Sequence, residues 1–125
     1  MCKKKKKPKL RVYEIVYSGA AISLNDFYSQ NNYKSGLGKK KKFKNIFKIL
    51  MLEKGLKWMN EFKLDIRYRS RNDVDNVVGT AKIFVDVMKG AYIKDDNRNH
   101  YKSMSITYDE TLKHNTFIFK ITQLK

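Results

Sequence analysis

Four aspartates in a strongly basic chain are the residues best placed to do chemistry: Asp73, Asp75 and the Asp95-Asp96 pair. Asp73 and Asp75 stand two apart at an expected strand-to-helix junction. In extended backbone, residues so spaced project to one side, so both carboxylates can converge on one point. Asp95-Asp96 could complete the set from a neighbouring loop. Hard divalent cations such as Mg²⁺, with Mn²⁺ as a substitute, prefer carboxylate oxygens, keep several waters and need few protein ligands. The competing reading is structural: Asp73 caps a helix and Asp95-Asp96 makes a turn. Other metal chemistries fit poorly. An EF-hand loop beginning at Asp73 would need Gly and Glu where the chain has Val78 and Phe84. Cys2 is the only cysteine, and His100 and His114 alone are too few for a structural zinc site. Both histidines read as ordinary surface or core residues.

The charge distribution makes the aspartates stand out. Across 125 residues there are 28 Lys+Arg against 12 Asp+Glu, a formal net charge of +16. That field attracts polyanions, nucleic acid first among them. Residues 1–60 hold 16 basic residues against Glu14, Asp26 and Glu53, a balance of +13, whereas residues 61–125 hold 12 against 9. Five of those nine acids fall between Asp73 and Asp96. A bound cation would invert the local charge there and attract phosphate again.

The length allows one domain with a modest core, which association between copies would supplement. No stretch approaches the roughly 20 apolar residues of a membrane span, and no apolar segment follows the basic start as a secretory signal would require. The single cysteine fits a reducing compartment. Residues 1–9 (MCKKKKKPK) read as a flexible basic arm ahead of a domain over residues 10–125.

The elements that must position the aspartates follow from periodicity. Leu10 to Tyr17 alternates as a first strand, and Ser18 to Gly38 reads as a long loop whose tyrosines and Phe27 could stack on bases or anchor to the core. Phe43, Ile46, Phe47 and Leu50 mark an amphipathic helix over about 39–54. Its Lys39-Lys40-Lys41-Lys42 run either opposes the helix dipole, awaiting an external anion, or precedes the true helix start. Phe62 to Arg69 is the clearest strand, with Lys63, Asp65, Arg67 and Arg69 on a mostly cationic face suited to a phosphate track. A helix is expected from about Val77 to Lys89, capped by Asn72 or Asp73 and ended by Gly90. Val77, Ala81, Phe84 and Met88 form its buried stripe, and Asp75, Gly79, Lys82 and Asp86 repeat that spacing on another face. Ala91 to Lys94 fits a short strand or turn. Lys102 to Tyr108 and Thr116 to Leu124 alternate as two strands, expected to form a hairpin. The fold class is therefore α+β, a single small mixed domain in β-α-β-α-β-hairpin order.

The stretch Asp73-Val74-Asp75-Asn76, Lys82 four before Asp86, Gly90 and Asp95-Asp96 resembles the RusA family of Holliday-junction resolvases, dimeric magnesium-dependent endonucleases of bacteria and phages. Ser23-Leu24-Asn25 near the first strand, followed by tyrosines and a basic stretch, is similar to that family's N-terminal segment. The resemblance covers most of residues 10–108. It implies a RusA-like homodimer in the cytoplasm of a bacterium or a phage host, with Asp73, Asp75 and Asp96 as metal ligands and Asp95 as a helper. Lys82 would then be the catalytic lysine facing the scissile phosphate. Some members carry that lysine where this chain has Gly79; Lys82 lies three residues later, as a one-turn insertion would place it.

The expected function is Mg²⁺-dependent cleavage of Holliday junctions or related branched DNA by paired nicks. Lys39, Lys40, Lys41, Lys42, Arg67, Arg69, Arg71 and Lys82 are the expected DNA contacts. The alternative is a non-catalytic basic nucleic-acid-binding protein. A third class, an assembly factor gripping acidic proteins, predicts no salt-sensitive affinity for DNA.

Overall fold

A computed structural model describes residues 10–18 and 33–125, with residues 33–40 at the level of backbone only. The basic arm over residues 1–9, Ser23-Leu24-Asn25 and the Phe27 stacking surface lie outside the described residues. The elements are β1 (Val12–Ser18), α1 (Tyr33–Lys54), β2 (Phe62–Arg69), α2 (Val74–Met88), β3 (Tyr101–Tyr108) and β4 (Thr116–Gln123). They form one small α+β domain around a four-stranded mixed sheet of order β1-β4-β2-β3. Among the described residues no helix is long and apolar enough to cross a membrane.

Alternation decides which sheet face the helices cover. Phe62, Leu64, Ile66 and Tyr68 on β2 share one core with Phe117, Phe119 and Ile121 on β4 and with Ile15 and Tyr17 on β1. Phe43, Phe47 and Met51 join it from α1, and Val77, Ala81, Phe84 and Met88 from α2. Its centre is aromatic: Phe84 stacks on Phe119 with centroids 4.2 Å apart, and Phe47 meets both rings edge-on at 5.3 and 5.4 Å. Such contacts add to the area the rings bury. The alternate residues Arg67, Ser105, Thr107 and Lys120 are exposed on the other face.

The expected hairpin is not formed. β3 runs parallel to β2, and β4 inserts antiparallel between β1 and β2. Burial explains the order. Phe117, Phe119 and Ile121 are fully buried and need strands on both sides, whereas most of β3 is exposed and suits an edge. α2 supplies the crossover that a parallel β2–β3 pair requires. Seven residues, 109–115, then pass over the end of β2 to reach β4. They are pinned there: Asp109 N–H donates to the Tyr68 carbonyl at 2.8 Å, and Arg69 Nη1 donates to the carbonyls of Glu110 and Leu112 at 3.2 and 3.0 Å. Arg67 Nη1 pairs with Asp109 Oδ2 at 3.2 Å.

Both helices begin earlier than periodicity indicated. α1 starts at Tyr33, so residues 33–38 are helical rather than loop. Gly36 and Gly38, each costing about 1 kcal/mol in a helix, concealed this start. The four lysines therefore lie past the first turn, and the dipole argument for an external anion does not apply to them. α2 starts at Val74 behind Asp73 and ends before Gly90, whose φ of 80° suits glycine.

Candidate metal site and nucleic-acid interface

Asp73 sits at the N-cap of α2 in extended conformation (φ −74°, ψ 161°), but its side chain makes no capping hydrogen bond. The turn before it is held by other groups. Tyr68 Oη donates to the Asn72 carbonyl at 3.0 Å, and Asn72 N–H donates to Ser70 Oγ at 3.2 Å. Burial pushes the Tyr68 phenol above its ordinary pKa, and the Asp73 charge adds to that. Asp75 is already inside the helix. The extended geometry expected to converge Asp73 and Asp75 therefore fails at its second member, because a helix turns about 100° per residue. Both side chains are exposed.

Asp75, Val78 and Lys82 form one solvent-facing stripe of α2 at i, i+3 and i+7. Gly79 is buried and does not belong to it. Lys82, three residues later, is exposed.

That stripe looks onto the sheet edge. Met104 and Tyr108 of β3 are in register with Leu64 and Tyr68, on the core side of the sheet, yet they are 42% and 46% exposed. The result is a groove of about 210 Å³ lined by Val78, Lys82, Val85, Asp96, Tyr101 and Met104. Two residues singled out from the sequence, Lys82 and Asp96, therefore share one concavity. Asp75 lies one turn above Val78 on the same stripe. A larger groove of about 330 Å³ between α1 and β1, lined by Ile15, Val16, Leu50, Glu53 and Lys54, contains none of the four aspartates.

Asp95 and Asp96 play different parts. Asp95 Oδ1 accepts the backbone N–H of Asp96 at 2.8 Å, and its Oδ2 accepts Asn97 Nδ2 at 3.4 Å. Asp95 is thus the turn-former. Its carboxyl is held below the usual carboxylate range by that backbone donor first, with help from the Lys89 ammonium. Lys89 Nζ lies 3.3 Å from Asp95 Oδ1 and 3.7 Å from Asp96 Oδ1, and the two carboxylates raise the Lys89 pKa, the hydrogen bond to Asp95 contributing most. Lys89, Tyr101 and Met104 were not singled out from the sequence. Lys89 projects from the residue after α2, where periodicity gives no signal of a partner.

The donor chemistry is that of a hard cation, carboxylate oxygen throughout. Among the described residues, however, no three carboxylate, histidine or cysteine side chains converge on one point.

The expected DNA contacts also divide. Lys41, Lys42 and Arg71 are exposed, whereas the side chains of Lys39 and Lys40 lie outside the described residues. Arg67 and Arg69 are committed to the 109–115 connection, an internal role that spacing could not reveal. His100 is structural, its Nδ1 2.8 Å from the Asn60 carbonyl. Compared with known proteins, the chain matches no protein-family model and no curated sequence.

Proposed function

We propose that this chain is a metal-dependent, structure-selective DNA endonuclease of RusA type, which acts as a homodimer on Holliday junctions or related branched DNA. The observation that carries the reading is the groove in which Lys82 and Asp96 stand together, with Asp75 on the same helical stripe, in a chain of net charge +16. Exposed lysines of α1 and Arg71 draw the phosphate backbone toward the protein. Lys82 faces the scissile phosphate from the groove wall and stabilises negative charge that develops there. Asp96 and Asp75 would hold Mg²⁺ or Mn²⁺, with Asp73 at the helix start as a further ligand, and Asp95 orients Asp96 through the turn. A divalent cation held there would supply activation of a water nucleophile and charge withdrawal from the phosphoryl group. Such an enzyme would work in the cytoplasm of a bacterium, or of a bacterium carrying a phage.

A second reading, a non-catalytic basic nucleic-acid-binding protein, draws on the aspartates that do not converge and on the turn role of Asp95. The two readings separate on Asp75→Asn. The endonuclease reading expects loss of cleavage with junction binding retained or strengthened, because a negative charge is removed. Equal cleavage by both proteins would remove Asp75 from the mechanism.

A further inference from the structure

We propose that two copies of the chain meet at the free edge of β3, the two strands pairing antiparallel about a twofold axis so that one sheet runs through both. This rests on the reading of the chain as a homodimer and names the surface that makes it. β3 has β2 on one side and, among the described residues, no strand on the other. Asp109 N–H donates to the Tyr68 carbonyl of β2. Alternation therefore points the N–H and C=O groups of Met104, Ile106 and Tyr108 away from β2, toward the free edge. Such an edge is a template for another strand.

The usual guards against pairing do not stand on it. Ser103 to Tyr108 contains no charged residue and no proline, in a chain of net charge +16. Two copies so basic repel each other over most of their surface, and a neutral stretch is where they can approach. Exposed apolar side chains lie beside it: Met104 and Tyr108 on the strand, and Val78, which lines one groove with Met104. The charges at the two ends select the direction. Lys102 precedes the neutral stretch and Asp109-Glu110 follows it. Antiparallel pairing centred on Ile106 sets Ile106 against itself and Met104 against Tyr108 of the second copy. It also brings Lys102 of each copy to the same end as Glu110 of the other, opposite charges together at both ends. Lys102 and Glu110 are exposed. Glu61, 3.5 Å from the Lys102 ammonium, keeps Lys125 at 3.3 Å when that ammonium turns outward. The other edge strand, β1, fails the same comparison, because Glu14 stands near its middle and self-pairing brings that carboxylate toward its own copy.

The test is sedimentation equilibrium of the whole protein, read as the dimer dissociation constant. The samples are wild type, Lys102→Glu, Glu110→Lys, an equal mixture of those two, Met104→Pro and Val16→Lys. Wild type is expected to dimerise. Lys102→Glu and Glu110→Lys each set like charges together and should weaken the dimer about five- to twenty-fold, the range of two exposed ion pairs turned repulsive. Mixing them should restore it, since each variant then meets the opposite charge at both ends. Met104→Pro removes an edge donor that β2 does not use, so it should abolish dimerisation while circular dichroism shows the fold retained. Val16→Lys alters the β1 edge and should leave the constant unchanged. A monomeric wild type overturns the inference and the homodimer reading together. A wild-type dimer that Met104→Pro leaves intact, that Val16→Lys breaks, or whose charge variants mixing does not restore, overturns the β3 edge alone. Should Met104→Pro fail to fold, the mixing result decides by itself.

Discussion

Replacing Arg67, Arg69 and Arg71 one at a time by Ala should give three different results, because the structure gives each arginine a different task. Arg69 Nη1 donates to two carbonyls, of Glu110 and Leu112, and so holds the connection from β3 to β4 over the end of β2. One nitrogen shared between two acceptors counts as about one charged hydrogen bond, worth roughly 1.5–3 kcal/mol when buried. The site is only partly buried and water can replace the lost donor, so a cost of about 1–2 kcal/mol is expected. With a urea m-value of about 2 kcal/mol/M, the unfolding midpoint should fall by about 0.5–1 M. Arg67 forms an exposed pair with Asp109, side chain 46% exposed, so its loss should cost under about 1 kcal/mol. Arg71 is exposed, and its loss should leave stability within about 0.5 kcal/mol. DNA binding should rank the other way. Arg71→Ala should weaken affinity and lower the salt slope by about one counterion, more than Arg69→Ala does. The assays are urea unfolding followed by circular dichroism and DNA affinity at several salt concentrations. If Arg69→Ala unfolds at the wild-type midpoint while losing the most DNA affinity, the assignment of Arg69 to the connection is wrong.

Two further outcomes follow from the core and from the groove. Phe119 is fully buried, stacked on Phe84 and in edge contact with Phe47, so Phe119→Ala should cost about 3–5 kcal/mol by the same unfolding measurement. A loss below about 1 kcal/mol would place β4 elsewhere than the sheet centre. Burial pushes the Tyr101 phenol up to about 12, with the Asp65 charge adding, and its hydroxyl is buried without a hydrogen-bond partner. The folded pKa lies above the unfolded value near 10, so this residue's stabilising contribution is full below pH 10 and is lost as pH rises toward 12. Ultraviolet absorbance of tyrosinate should show a late-titrating component that Tyr101→Phe removes, with no loss of stability at neutral pH. A Tyr101→Phe protein that retains that component, or unfolds more readily, would contradict this.

Much of the framework was legible in the residues. The alternation of Phe62 to Tyr68 and the spacing of Val77, Ala81, Phe84 and Met88 located β2 and the buried side of α2, because burial on one face imposes those periods directly. Pairing was not legible. β3 and β4 follow each other with a short connection, as hairpin strands do, and only competition for the sheet centre places β2 between them. Helix starts were hidden by Gly36 and Gly38 in α1, and in α2 by polar residues that its exposed face tolerates. At the candidate site, the residue types pointed to Asp96 and Lys82, which do share a groove. The convergence of Asp73 with Asp75 assumed a strand where the chain is already helical. Lys89 was invisible because its partners lie six and seven residues away across a turn, a distance no helix or strand period reports.

The central claim concerns the Lys82–Asp96 groove as a phosphodiester-cutting site, and cleavage of a synthetic four-way junction tests it most directly. Wild-type protein with Mg²⁺ or Mn²⁺ should convert the junction to nicked duplexes, and chelator should stop the reaction. Asp96→Asn should bind the junction but leave it whole. A junction left uncut by wild type in both metals, while bound, would contradict the account and leave a basic DNA-binding protein in its place.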